Sequence, residues 1–290
     1  MSGWSGKSRG GGTGYYLFNL FLKYGGIHLA YFILRFVALY FVFTAPSSVK
    51  NLYFYFRNVH GYGFLRSCFS IYLNFVELGE SIIDRMAVVM GMAHKFEFNF
   101  EDEPVLRKSV ESSDGCLMIS AHVGNWQVAQ AFLNRFNKNK VNIVMLDVES
   151  EKIKQFIKSS SGGENVNIIA MNQGMDYLLD LVKAFKNKEV VCLHGDRFIQ
   201  GSRIAEIEFM SLKADFPVGP FELAKKFKVP APFTFVMKTG RTKYSFYATE
   251  AKVYDNLPQM MADYSVSLEN VMKKFPLQWF NYHSFWKIQQ

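Results

Sequence analysis

The chain has 290 residues, a formal net charge of +8, 49% hydrophobic residues and 17% aromatic residues. This length allows one large domain with a sizeable core, and the aromatic content is typical either of side chains at a membrane–water boundary or of an aromatic-rich core. The basic balance suits anionic partners such as phospholipid head groups or an acidic carrier protein, whereas the dispersed basic residues argue against nucleic acid. The three cysteines are far apart, which argues against disulfide bonds and a metal site.

The first part of the chain predicts a flexible tail followed by a membrane-associated helix. Residues 1–14 are rich in Gly and Ser, which is typical of a mobile tail. The segment Ile27–Ala45 is strongly apolar and nearly long enough to span a bilayer, yet it contains one histidine and one arginine. On a helix, four polar side chains would share one face: Tyr24, His28, Tyr31 and Arg35. This stripe favours a helix lying in the membrane interface, with a true span and a buried core helix as alternatives.

Two more helices are predicted next, at residues 51–56 and 64–90. In the second, apolar side chains recur at steps of three and four and would bury one side of the helix. These side chains are Phe64, Leu65, Cys68, Phe69, Tyr72, Leu73 and Val76. A core-facing side and a lipid-facing side are both open. We therefore assign residues 15–95 to a helical, membrane-associated N-terminal region.

Residues 96–290 have the pattern of an α/β domain. Short apolar runs alternate with helical segments, and the runs lie at 116–121, 141–146, 167–170 and 190–194. Such alternation predicts a mostly parallel central sheet flanked by helices. A helix at 219–227, strands at 232–238 and 244–250 and a helix at 259–275 follow. Ligands bind beyond the carboxyl ends of parallel strands, so His122 and the pair Asp196-Arg197 could share one site.

His122 follows a predicted strand and precedes a predicted helix start at Asn125. A strand that ends in such a turn can present an imidazole as a general base. With Gln127 in the first helical turn, its amide could accept the Nδ1 hydrogen of His122 and leave Nε2 free to take a proton. Free N–H groups near Gly124 and Asn125 would then stabilise developing negative charge. On these residues alone, a turn histidine satisfied by backbone is the alternative.

The segment from His122 to Gln127, His-Val-Gly-Asn-Trp-Gln, resembles the His-x4-Asp/Glu motif of the glycerolipid/lysophospholipid acyltransferase superfamily. The resemblance is strongest to the late acyltransferases of bacterial lipid A biosynthesis. Further segments agree in order: His194-Gly-Asp-Arg197, Phe216-Pro-Val-Gly-Pro220 through Leu223-Ala224, Pro230-Ala-Pro232, and Pro276-x-Gln278-Trp279-Phe280. The similarity covers most of the chain after Tyr15.

This resemblance implies a membrane enzyme in which His122 is the general base. The base would deprotonate a hydroxyl or amine of a lipid or glycolipid acceptor, which attacks an acyl thioester on acyl carrier protein or coenzyme A. Apart from this acyl thioester co-substrate no cofactor is implied, and the scattered histidines lack the spacing of metal ligands. The implied location is the cytoplasmic face of the inner membrane.

The resemblance also implies pocket residues around His122. These are Asn125, Trp126, Asp196, Arg197, Gly219 and Pro220. Arg197 would bind a phosphate or stabilise the oxyanion, whereas Asn125 and Trp126 would shape the turn. A surface ion pair is the alternative for Asp196 and Arg197.

Gln127 departs from the family motif, which has a carboxylate at this position. Three interpretations are open: an active enzyme with a neutral orienting group, an enzyme whose carboxylate comes from elsewhere (Glu149 or Glu164), or a catalytically weakened lipid-binding relative. A hydrolase that uses Ser120 and His122 is disfavoured, because strand residues two apart lie roughly 6–7 Å from each other.

Overall fold

The computed structural model describes residues 12–99, 104–105, 107, 115–126, 128, 140–146, 166–171, 176–198 and 201–289. Its helices are α1 (Gly12–Thr44), α2 (Pro46–Phe54), α3 (Phe64–Val89), α4 (Asp176–Lys186), α5 (Gly219–Phe227) and α6 (Leu257–Lys274). Its strands are β1 (Glu97–Asn99), β2 (Cys116–Ser120), β3 (Val141–Leu146), β4 (Val166–Met171), β5 (Val190–His194), β6 (Ile204–Phe209), β7 (Leu212–Pro217), β8 (Thr234–Gly240) and β9 (Lys243–Ala248). The predicted tail at 1–14 lies almost entirely outside the described residues, as do Gln127, Glu149 and Glu164.

A parallel sheet with strand order β2-β5-β3-β4 forms the centre of the α/β part. Its strands are apolar runs because both faces of a parallel sheet are covered, and Cys116–Ile119 of β2 is buried throughout. At the free edge of β2, the N–H groups of Leu117 and Ile119 donate to the Pro230 and Pro232 carbonyls at 2.9 and 3.0 Å. This contact joins the sheet to the segment that enters β8, which pairs antiparallel with β9. The predicted α/β class with a mostly parallel sheet is confirmed.

Helix α1 does not present the predicted polar stripe. Tyr31 is only 1% exposed and its hydroxyl donates to Asp84 of α3, whereas Tyr24, His28 and Arg35 are exposed. The predicted stripe is therefore exposed only in part, and both Tyr31 and Arg35 of the stripe contact α3. Two causes are visible: α1 is kinked at Gly26, where φ is 70° and ψ is −177°, and Tyr31 finds a buried carboxylate partner.

Large apolar side chains on α1 and on the first turns of α3 point away from the protein. They are Leu29, Phe32, Phe36, Leu39, Tyr40 and Phe43 on α1, and Phe64, Leu65 and Phe69 on α3. We call these nine side chains the apolar face. Tyr24–Thr44 is long and apolar enough to cross a membrane by length and composition, and only 28% of its most apolar window is buried in the protein.

The other side of α3 is the buried one. Ser67, Ser70 and Asn74 are buried there, whereas Phe64 and Phe69 of the predicted apolar stripe are exposed. A stripe that faced the core would have placed these two phenylalanines on the inner side. A core-facing stripe is thus wrong for the first half of α3. The Ser67 hydroxyl donates to the Tyr62 and Gly63 carbonyls and the Asn74 amide to the Leu277 and Trp279 carbonyls, so the helix can bury these polar side chains and expose aromatic ones.

Candidate active site

His122 and Asp196 meet at the carboxyl edge of the parallel sheet. Strands β2 and β5 are neighbours in register, with Ser120 opposite His194, so the residues that follow both strands lie side by side. The Nδ1 atom of His122 lies 2.8 Å from Oδ1 of Asp196, and the backbone N–H of His122 donates to Oδ2 at 3.0 Å. Both carboxylate oxygens therefore hold the histidine.

The charge of Asp196 determines which nitrogen of His122 carries the hydrogen. Burial acts to raise the pKa of Asp196, but the neighbouring His122 and Arg197 outweigh it and hold the pKa well below its usual range. An ionised carboxylate can only accept, so Nδ1 carries the hydrogen and Nε2 has the free lone pair. Asp196 thus occupies the position that the sequence assigned to the Gln127 amide, and the His122 side chain keeps 28% of its surface exposed.

A second histidine packs against the first. The ring centroids of His194 and His122 are 4.3 Å apart, and the Trp126 ring meets His194 edge-on at 5.4 Å. Burial and the positive charge of a protonated His122 lower the pKa of His194 to about 3. His194 is therefore neutral at physiological pH and does not compete as a titrating base.

The same groups contain a set of atoms that could hold a metal ion. One ligand atom each from His122, His194 and Asp196 lies within 4.8 Å of the others. Such a donor set suits zinc or another transition metal. Both Asp196 oxygens already accept hydrogen bonds from His122, however. The carboxylate therefore has hydrogen-bond partners without a metal ion.

The turn after His122 is fixed by backbone hydrogen bonds. The Gly124 N–H donates to the Gln278 carbonyl at 2.9 Å, and the Asn125 N–H donates to the Val236 carbonyl at 2.8 Å. These amides are not free for an oxyanion, so the site predicted near Gly124 and Asn125 is wrong. Gly124 is required because its φ is +59° and an added Cβ would lie 2.0 Å from the Val236 carbonyl oxygen.

Arg197 is tied to the same turn from the other side. Its Nη2 donates to the Phe280 carbonyl at 2.7 Å, and the Phe280 N–H donates to the His122 carbonyl at 3.2 Å. Asp196 and Arg197 are therefore not a surface ion pair. The structure brings His122, Asp196 and Arg197 together around one residue of the C-terminal segment.

An apolar cleft lies beside His122. It opens between the carboxyl halves of β2, β3 and β5 and the strands β8 and β9. Its lining residues are Met118, Ser120, Trp126, Ile143, Val144, Cys192, Leu193, His194, Thr234, Val236 and Phe246. Trp126 and His194 line the cleft, and the His194 ring packs against His122, so the cleft lies close to the base.

Comparison with known protein families places this chain in one of them. The family model described as "Bacterial lipid A biosynthesis acyltransferase" matches residues 77–288, from within α3 to beyond the Phe280 contact. The chain belongs to this family. The solved structure of the 1-acyl-sn-glycerophosphate (LPA) acyltransferase PlsC from Thermotoga maritima is 10% identical, covers 81% of this chain and 100% of its own, and has a TM-score of 0.41. Comparison with curated protein sequences gives no match.

In this acyltransferase, Gly219 and Pro220 begin helix α5 behind the site. Phe221 of α5 meets the Tyr264 ring edge-on at 5.1 Å, and the Tyr264 hydroxyl donates to the Ser120 carbonyl at 2.8 Å. The helix thus supports the end of β2. A direct pocket role for Gly219 and Pro220 stays a prediction.

A buried ionic cluster that the sequence did not predict lies behind the histidine turn. Lys238 Nζ lies 2.8 Å from Glu80 and 2.8 Å from Asp84, and the Tyr31 and Tyr244 hydroxyls donate to Asp84. We call these five residues the buried ionic cluster. Glu80 and Asp84 are four residues apart on α3, and this spacing on one helical face was the available signal.

Asn125 connects the histidine turn to α3 and to the buried ionic cluster. Its side-chain amide donates to the Ser81 carbonyl at 2.8 Å and to the Tyr244 hydroxyl at 3.3 Å. Asn125 is 5% exposed, which fits the predicted role in shaping the turn. Trp126, by contrast, lines the cleft.

Proposed function

We propose that this acyltransferase moves a fatty acyl chain from acyl carrier protein or coenzyme A to a hydroxyl or amine of a lipid or glycolipid acceptor, with His122 as general base. The observation that carries the proposal is the His122–Asp196 contact at 2.8 Å beside the apolar cleft. A base held by a carboxylate, beside an apolar cleft, fits acyl transfer better than any other chemistry of the described residues.

The reaction follows from the protonation of the two side chains. Nε2 of His122 takes the proton of the acceptor O–H or N–H, and the acceptor atom forms a bond to the thioester carbonyl carbon. The carbon–sulfur bond then breaks, and the leaving thiolate receives the proton from the imidazolium. Asp196 stabilises the imidazolium while it exists, as the carboxylate of a catalytic triad does.

Arg197 supplies positive charge at the edge where His122 lies. Its Nη2 is held by the Phe280 carbonyl, so the guanidinium is fixed in direction. We assign it either to the oxyanion of the tetrahedral intermediate or to a phosphate of the donor or acceptor. The acyl chain itself would lie in the apolar cleft, with its carbonyl near Trp126 and His194.

The apolar face supports attachment to the inner membrane at its cytoplasmic side, where an acidic carrier protein is available. Its aromatic side chains on α1 and α3 are of the kind found at membrane interfaces. Arg35, near the middle of α1, pairs with Glu80 at 3.3 Å, so it is partly neutralised by the protein. This pairing places the inner side of α1 on α3 and lowers the cost of Arg35 both in an interfacial helix and in a spanning one.

A catalytically weakened lipid-binding protein is the second candidate, and Gln127 motivates it. Asp196 counts against it, because a carboxylate already contacts Nδ1 of His122. In a weakened relative, turnover would be near zero and Gln127→Glu would raise it.

The deciding experiment compares purified wild type, His122→Ala and His94→Ala. Each is assayed with a radiolabelled acyl chain on acyl carrier protein, and in parallel on coenzyme A, with lipid A precursors as acceptors. His94 is exposed and is the matched control. We expect transfer by wild type and His94→Ala and loss of at least about 1,000-fold in His122→Ala. Equal transfer by all three would remove His122 from the mechanism, and no transfer by wild type would favour the lipid-binding candidate.

A further inference from the structure

Residues 277–284, which we call the C-terminal strap, lie against the catalytic turn. The Gln278 carbonyl accepts the Gly124 N–H, and Phe280 bonds to both His122 and Arg197 through its backbone. The Gln278 side chain also pairs with the backbone of Lys238, accepting from its N–H at 2.8 Å and donating to its carbonyl at 2.7 Å. Where the strap lies therefore determines where His122 and Arg197 lie.

The opposite side of the strap is held by Asn74 of α3. The Asn74 amide donates to the Leu277 carbonyl at 2.8 Å and to the Trp279 carbonyl at 3.0 Å, and its oxygen accepts the Tyr282 hydroxyl at 3.0 Å. Asn74 is fully buried. One side chain thus binds three residues of the strap, on both sides of Gln278 and Phe280.

We propose that Asn74 is a positioning residue for the acyl transfer reaction. It contacts no reacting atom and acts through the strap, which fixes the histidine turn and the direction of Arg197. The inference rests on the proposed function, since it assumes that His122 and Arg197 carry the reaction. No local motif predicts this role, because Asn74 lies far from His122 in sequence and on a different element.

The position of Asn74 also connects two parts of the molecule. Leu65 and Phe69 belong to the apolar face of α3, while Asn74 lies on the inner side of the same helix. Asn51 of α2 adds a second contact, because its amide donates to the Tyr282 carbonyl at 2.9 Å. Helix α3, which carries part of the apolar face, and helix α2 therefore hold the strap that contacts the histidine turn.

The kinetic test uses Asn74→Ala, Tyr282→Phe and the matched control Ser70→Ala. Ser70 is buried one turn earlier on the same side of α3. Tyr282→Phe removes only the hydroxyl bond and keeps the ring that stacks on Phe75. We expect kcat to fall at least about tenfold in Asn74→Ala and by less in Tyr282→Phe, with KM for the acyl donor within about twofold and Ser70→Ala near wild type.

A second measurement does not depend on activity. Hydrogen exchange should be faster at the amides of Gly124 and Phe280 in Asn74→Ala than in wild type and Ser70→Ala, at equal folded fraction. Unchanged exchange at both amides, or a loss of kcat that Ser70→Ala shows equally, would overturn the proposal. Faster exchange in an enzyme whose wild type transfers no acyl chain would support the positioning contact and refute the proposed function instead.

Discussion

Asp196 contacts His122 at two points, so in the proposed mechanism this one side chain takes the orienting role that the sequence gave to Gln127. Its carboxylate binds both Nδ1 and the backbone N–H of His122. The low pKa of Asp196 keeps its carboxylate ionised at neutral pH. Because this pKa is lower in the folded protein than in the unfolded chain, the ionised carboxylate stabilises the fold above its usual pKa range. This stabilisation is lost as the pH falls into the strongly acidic range. An ionised Asp196 therefore faces Nδ1 of His122 throughout the neutral pH range.

Replacing this carboxylate by an amide should remove most of the activity while leaving the fold. In Asp196→Asn the amide can present its NH2 group to Nδ1 and so favour the wrong tautomer, and it cannot stabilise the imidazolium. We expect kcat to fall on the order of 10³–10⁴-fold, as for the corresponding change in a serine protease triad. Steady-state kinetics and a melting curve check this. A loss smaller than tenfold would show that Asp196 does not orient the base.

His194 should not set the pH dependence of the reaction. Because burial lowers its pKa to about 3, it is already neutral where the enzyme works. In His194→Phe, which keeps an aromatic ring against Trp126, the acid limb of kcat/KM should stay within about half a pH unit of wild type. Rates measured from pH 5 to 9 check this. A displacement of a full unit would mean that His194 titrates with the base.

The sequence identified His122, Asp196 and Arg197 but not how they are joined. The spacing from His122 to Gln127 suggested a local partner, whereas the actual partner follows a different strand. That pairing depends on β2 and β5 being neighbours, and strand order cannot be read from a single sequence. The N–H groups of Gly124 and Asn125 were predicted to be free for the same reason, since the carbonyls of Gln278 and Val236 that occupy them are distant in the chain.

At the scale of the elements, helix α3 has a different role on each side. Its exposed side carries part of the apolar face, and its inner side carries Glu77, Glu80 and Asp84 toward β8. Burial raises the pKa of Glu77 to about 7, and the charge of Glu80 adds to this effect. The folded protein therefore binds the Glu77 proton more tightly than the unfolded chain does.

This raised pKa gives a stability prediction with a definite sign. Glu77 destabilises the fold progressively as the pH rises from its ordinary pKa of 4.5 to about 7. Glu77→Gln removes this loss, so its melting temperature relative to wild type should increase between pH 4.5 and 7.5, corresponding to at most about 3 kcal/mol. Thermal unfolding at both pH values checks it. A pH-independent difference between the two proteins would contradict the burial of an uncharged Glu77.

The sheet was predictable because each buried strand is a short apolar run with helical segments on either side. The orientation of α3 was not, because a periodic apolar stripe defines a side of a helix but not the medium that covers it. In the first turns of α3 the apolar side chains are exposed, and Ser67, Ser70 and Asn74 are buried against the protein. The hairpin of β6 and β7 was missed as well, because its strands lack the continuous apolar runs of the parallel sheet: β6 alternates exposed Glu206 and Glu208 with inward residues.

At the scale of the whole molecule, the apolar face should determine how strongly the enzyme binds a membrane. Leu65 is 80% exposed and Phe69 is 60% exposed, so a charge at either position should cost little folding stability. We expect Leu65→Glu/Phe69→Glu to weaken binding to anionic phospholipid vesicles by at least about tenfold. The double substitution removes two apolar side chains that would enter the membrane, and it adds two negative charges. Vesicle flotation measures the effect.

Val253→Glu is the matched control, since Val253 is 52% exposed in the α/β part, before α6. Its vesicle binding should equal that of wild type. Equal binding by all three proteins would exclude α3 from the membrane contact. Release of the wild type by alkaline carbonate would agree with a helix in the interface, and resistance to it would favour a spanning α1.

The support of the histidine turn by Gln278 and Phe280 has a consequence for biosynthesis. A ribosome delivers the chain from its N-terminus, so the helices and strands β1 to β9 all emerge before the two residues that close this turn. A nascent chain can therefore reach the bilayer and begin to fold while its imidazole is still incompletely held. The histidine turn is therefore completed only after residues 278–280 have emerged, and a stop codon before position 276 would leave it without these contacts.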